Sequence, residues 1–107
     1  MLIDSHAHLE MKEFDADREA VLGRAAAEGV TCIITVGTDI TLSHKALSLA
    51  SSYQNVFATV GIHPHEADTA TQENLDIIAK IARHPKVVAY GEIGLDFFRD
   101  LAPREKQ

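Results

Sequence analysis

A single cysteine, Cys32, is all the thiol chemistry that this sequence of 107 residues holds, so no disulfide forms within the chain. It lies in the apolar run Thr31-Cys32-Ile33-Ile34, which predicts a buried, inert thiol. No apolar stretch approaches the ~20 residues that cross a bilayer. The first residues, Met1-Leu2-Ile3-Asp4-Ser5-His6, lack the basic start and long apolar stretch of a secretory signal. A cytoplasmic protein with no membrane partner is the expectation. Positive charge is also scarce: 10 Lys and Arg against 16 Asp and Glu leave a net charge of −6. That argues against a broad electrostatic grip on nucleic acid, which takes clustered basic side chains. It leaves room for a nucleic-acid substrate held through metal ions, because two divalent cations offset about four charges locally. Low-complexity segments and linkers are absent too. The length suits one domain, residues 1–107, large enough to bury a core.

What is present is alternation. Leu2-Ile3-Asp4 is short and apolar and predicts a buried parallel strand. Residues 15–28 favour helix, with Asp15 as N-cap and Gly29 as the stop. Val30 to Val36 is a β-branched run, read as a strand buried on both faces. Gly37-Thr38-Asp39 makes a turn and cap. Leu42, Ala46, Leu49, Ala50 and Tyr53 then share one helical face. Val56 to Val60 is a third strand. Thr69 and Gln72 form a capping box for a helix with the stripe Leu75, Ile78, Ala79 and Ala82. Val87 to Tyr90 is a fourth strand, and residues 100–107, with Pro103 in a first turn, begin a fourth helix. The class is α/β, with parallel strands alternating with helices. Units of about 25–30 residues are the size of a βα unit in an eight-fold barrel of about 250 residues. Four strands and three to four helices make the N-terminal half of a TIM-type (β/α)8 barrel.

The chemistry falls in the loops after the strands, where α/β folds place their sites. His6 and His8 stand two apart in an extended segment, so their rings point to one side and can chelate one divalent ion. Glu92, between Gly91 and Gly94, comes after the fourth strand, and its two carboxylate oxygens can bridge two ions. Asp96 is a candidate for orienting a histidine, or for capping the segment after it. His63 and His65 flank Pro64, which stiffens their loop; a ligand, a proton donor and a phosphate contact are all open to them. His44 and His84 have no such context and read as surface residues.

Together, Asp4-Ser5-His6-Ala7-His8-Leu9, Val60-Gly61-Ile62-His63-Pro64-His65 and Tyr90-Gly91-Glu92-Ile93-Gly94-Leu95-Asp96-Phe97 resemble the TatD family of metal-dependent hydrolases, deoxyribonuclease-like members of the amidohydrolase superfamily. The resemblance runs from residue 2 to 107, with Phe97 where the family often has Tyr. It implies that His6 and His8 bind one metal, that Glu92 bridges two, that Glu92 and His63 serve catalysis, and that His63, with His65, lies in the substrate site near a phosphate. Asp4 and Asp96 would support those groups from behind. Two more histidines and an aspartate of the family pattern have no counterpart in these 107 residues. At most one of the two ions, Zn²⁺, Mg²⁺ or Mn²⁺, would then be well ligated.

The implied reaction is metal-assisted hydrolysis of DNA phosphodiesters. The chain is expected to be a fragment of a longer nuclease, weakly active or inactive alone. Its open half-barrel edges are expected to favour a homo-oligomer. Two alternatives stay open: an amidohydrolase acting on C–N or carboxylic ester bonds, and a non-catalytic interaction module that keeps the fold.

Overall fold

The alternating β-branched and alanine-rich stretches fold as their patterns require. A computed structural model describes all 107 residues. The order is β1 (Leu2–Ala7), α1 (Arg18–Ala27), β2 (Val30–Val36), α2 (Ile40–Ser52), β3 (Val56–Val60), α3 (Gln72–Ile81) and β4 (Val87–Tyr90). Short 3-10 turns fill Lys12–Phe14 and Pro64–Thr69. All three strand pairs are parallel, and the strands lie in the order β1-β2-β3-β4. Each crossover therefore steps to the next strand in one direction. A doubly wound sheet reverses direction at a switch point, whereas a barrel does not. No helix is long and apolar enough to cross a membrane.

The core lies between the sheet and its helices. Leu9, Leu22, Ile33, Ala46, Ala50, Val56 and Ala58 form one buried cluster, and Val60, Ile78 and Ile81 form a second. The opposite face of the sheet is not covered. Cys32, Ile34 and Phe57 alternate with the buried positions and stay half-buried. Cys32 is thus not the buried thiol that its apolar run predicts, and β2 is covered on one face only. β1 also departs from expectation. It has one neighbour, and Leu2 and Ile3 remain about 60% exposed.

Helix starts and faces shift by a few residues. α1 begins at Arg18, not near Asp15, because the Asp15 carboxylate accepts a 2.7 Å bond from the Arg18 guanidinium instead of capping backbone amides. Gly29 adopts φ +86° and ends the helix as expected. Asp39 caps α2, accepting from the Leu42 amide at 2.7 Å. Thr71, not Thr69, caps α3, accepting from the Asn74 amide at 3.2 Å. The Thr69 hydroxyl instead donates to the Glu66 carbonyl, and Gln72 donates to Asp76. The buried face of α3 consequently turns to Ile78 and Ile81, leaving Leu75 and Ala79 exposed. Residues 100–107 form one turn, in which the Gln107 amide bonds the Pro103 carbonyl, rather than a helix.

Candidate metal centre

The site is assembled by three loops that the sheet holds side by side. In β1, Asp4 pairs with Ile33 and Ala7 with Thr35, so three steps of β1 oppose two of β2. This bulge re-aims the strand end. The Asp4 carboxylate accepts from the His6 amide at 3.1 Å, so it fixes backbone rather than a ring. The second loop is fastened at Ser43, whose buried hydroxyl accepts from the Gly61 amide at 3.2 Å. Gly37 lets the first turn of α2 approach: a Cβ there would stand 2.5 Å from the Ser43 Cα. The His63 amide then donates to the Thr38 carbonyl at 2.8 Å. In the third loop, the Thr59 hydroxyl donates to the Gly91 carbonyl at 3.2 Å and steadies the residue before Glu92.

These supports bring His6, His8 and Glu92 together. The two Nε2 atoms are 3.3 Å apart. Glu92 Oε2 lies 3.4 Å from His6 Nε2 and 3.6 Å from His8 Nε2. Ligands about 2.0–2.1 Å from a tetrahedral centre sit about 3.3–3.4 Å from one another. The spacing, and the two-nitrogen, one-carboxylate donor set, therefore fit a divalent ion with further positions open. The other carboxylate oxygen faces elsewhere: Glu92 Oε1 is 3.4 Å from His63 Nε2. A cleft of about 340 Å³ between His8, Met11, Thr38, His63, His65, Glu66 and Glu92 opens beside the donors.

Hydrogen bonds fix which ring atom carries each proton. The Val36 carbonyl, 3.0 Å from His8 Nδ1, can only accept. His8 therefore carries its proton on Nδ1, and the neutral ring presents a lone pair at Nε2. The His65 amide, 3.1 Å from His63 Nδ1, can only donate. The neutral His63 ring therefore carries its proton on Nε2, facing the cleft. His65 is turned edge-on to His63, with centroids 4.2 Å apart. Its Nε2 is 2.6 Å from Asp96 Oδ2. The Arg99 amide and the His65 ring hold the Asp96 carboxyl below its usual value. His44 and His84 are exposed, away from the cleft.

One group escaped the sequence reading. Glu10 is 2% exposed, 3.1 Å from His8 Nδ1 and 2.5 Å from the Thr35 hydroxyl. Leu9-Glu10 is a turn beyond the end of β1, so strand alternation does not reach Glu10 and no sequence signal marks it.

The chain is similar to several known proteins over its whole length. Residues 3–107 match the family described as TatD related DNase. The metal-dependent hydrolase YabD of Bacillus subtilis, itself uncharacterised, is 41% identical over 107 residues, covering 100% of this chain and 42% of that protein. The 3'-5' ssDNA/RNA exonuclease TatD of Musicola paradisiaca is 43% identical over 107 residues, 99% of this chain and 40% of its own length. Among solved structures, the TatD homologue YjjV of Escherichia coli K12 superposes with a TM-score of 0.82 at 40% identity, over 92% of this chain and 39% of that one. A TatD family hydrolase of Entamoeba histolytica gives 0.87 at 30% identity, over 98% and 41%. The chain thus spans about two fifths of the length of these relatives, and its strands and helices match the N-terminal half of a TatD barrel. This chain belongs to the TatD-related DNase family of metal-dependent hydrolases.

Proposed function

We propose that this chain carries one metal subsite and the phosphate-facing histidine of a nuclease that hydrolyses single-stranded DNA. The observation that carries this reading is the division of Glu92, with Oε2 toward His6 and His8 and Oε1 toward His63. His6 and His8 would hold the ion through Nε2, with Glu92 Oε2 as third ligand. Two imidazoles and one carboxylate favour Zn²⁺ or Mn²⁺ over Mg²⁺. A bound ion lowers the pKa of a coordinated water and supplies hydroxide near neutral pH. Glu92 Oε1 would remain available to a second ion. The His63 Nε2–H would donate to a non-bridging phosphate oxygen, and His65, held by Asp96, would line the same wall. A chain of net charge −6 needs the cation to receive a polyanion.

The test is twofold. Calorimetric titration with Zn²⁺ should give one ion per chain, weakened at least tenfold by His8→Ala. Anisotropy of a short labelled single-stranded DNA should show binding that EDTA abolishes and His63→Ala weakens. A folded chain that binds no ion, or binds DNA equally well in EDTA, overturns the reading. Turnover by this chain alone is expected to be slow or absent, because a second ion has few ligands among these residues. We further propose that the two free sheet edges drive self-association.

A further inference from the structure

We propose that Glu10 is a positioning residue of the metal centre: it holds the His8 ring from behind and strengthens its Nε2 as a ligand. The inference rests on the reading of His8 as a metal ligand. Buried polar side chains are few in this chain, namely Glu10, Thr35, Ser43 and Thr59. Ser43 and Thr59 are accounted for by their bonds to Gly61 and Gly91. Glu10 is the charged member, and its side chain is fully buried. Burying a carboxylate is costly unless it is paired and hydrogen-bonded.

Two donors meet that requirement, one on each oxygen. The Thr35 hydroxyl donates to Oε2 at 2.5 Å, and the His8 Nδ1–H points to Oε1 at 3.1 Å. Thr35 lies in β2, so the sequence Thr35–Glu10–His8 ties the ring to the second strand of the sheet. The His8 proton is shared with the Val36 carbonyl at 3.0 Å. That carbonyl alone sets the tautomer. What Glu10 adds is negative charge behind the ring, which raises the electron density at Nε2, and a second fixed contact that limits ring rotation. Carboxylates placed behind metal-bound histidines act in this way, and their removal typically costs about 10–100-fold in metal affinity.

Three variants of the 107-residue chain separate this role from a purely structural one. Glu10→Gln keeps the shape and removes the charge: its carbonyl oxygen can still accept from His8, and its amide can donate to the Thr35 hydroxyl in place of accepting from it. Glu10→Met removes the charge and both hydrogen bonds. Thr35→Val removes the other bond to Glu10 and leaves the His8 contact. Zn²⁺ affinity is read by competition with a chromophoric chelator, the visible spectrum with Co²⁺ in place of Zn²⁺, and stability by urea unfolding without metal. Glu10→Gln should bind Zn²⁺ about tenfold more weakly and Glu10→Met up to about 100-fold, with altered Co²⁺ bands. Thr35→Val should lower stability and weaken Zn²⁺ binding less than Glu10→Gln does, because the charge behind the ring stays. If Glu10→Met does not fold, Glu10→Gln decides. Wild-type affinity and an unaltered Co²⁺ spectrum in Glu10→Gln overturn the inference and leave the centre standing. A wild-type chain that takes up no Zn²⁺, or is indifferent to His8→Ala, overturns the centre and this inference together.

Discussion

At the scale of single residues, the cleft separates two imidazoles of the same chemical type by what their Nδ1 atoms touch. His8 meets a carbonyl and His63 meets an amide, so one offers a lone pair and the other a proton. Sequence spacing singles out both rings but leaves these roles open, because backbone geometry decides each one: the end of β2 brings the Val36 carbonyl to His8, and the turn after Pro64 aims the His65 amide back at His63. Glu10 was illegible for a related reason: its burial depends on β2, which reaches it 25 residues later in the chain. Asp96 offers a pH test at this scale. Its carboxyl is held low by the Arg99 amide and the His65 ring. A carboxyl with a depressed folded pKa stabilises the fold above its ordinary value, near 3.8, and that contribution disappears as pH falls through the lowered value. Urea unfolding from about pH 6 down to about pH 2 should show the stability gap between wild type and Asp96→Asn closing below about pH 4. A gap that stays constant to the acid end would contradict the assignment.

At the scale of elements, strands and helices were legible where periodicity is strong, and boundaries were not. Val30–Val36, Val56–Val60 and Val87–Tyr90 fall where their β-branched runs place them. The caps at α1 and α3 moved because Asp15 and Thr69 each found a nearer partner, Arg18 and the Glu66 carbonyl. A cap is a competition between local hydrogen bonds, and composition does not rank the competitors. The difference is measurable. Asp39→Ala removes a 2.7 Å cap from α2 and should cost about 1 kcal/mol in urea unfolding. Asp17 stands at the same position of α1 but makes no side-chain cap, and its contact to Arg24 is exposed at 3.4 Å. Asp17→Ala should therefore change stability little. Equal losses for the two would refute this ranking.

At the scale of the whole molecule, the surface is larger than its mass warrants. It measures 6611 Å², against about 5,900 Å² for a compact monomer of 11.7 kDa. The radius of gyration is 14.4 Å, where about 13 Å is usual. Apolar residues of the two edge strands and of the loop after β4 stay at least half exposed, among them Ile3, Val88, Tyr90 and Ile93. With β1 and β4 both lacking an outer partner, sedimentation velocity should show association that grows with concentration. Ile3→Lys should shift the distribution toward monomer, and a wild-type monomer at all concentrations would refute self-association. The alternation of units made this architecture legible in the sequence, but the open face was not, since a β-branched run looks the same whether one side is covered or both. The curl of the sheet has a mechanical consequence. β1 and β4 are separated by β2 and β3, so on a flat sheet their ends would stand about 14 Å apart. Yet His6 from one edge and Glu92 from the other meet at 3.4 Å. An ion bound there would act as a hoop across the two free edges, so that opening the curl and releasing the metal become one event, and metal concentration would set how firmly this sheet holds its shape.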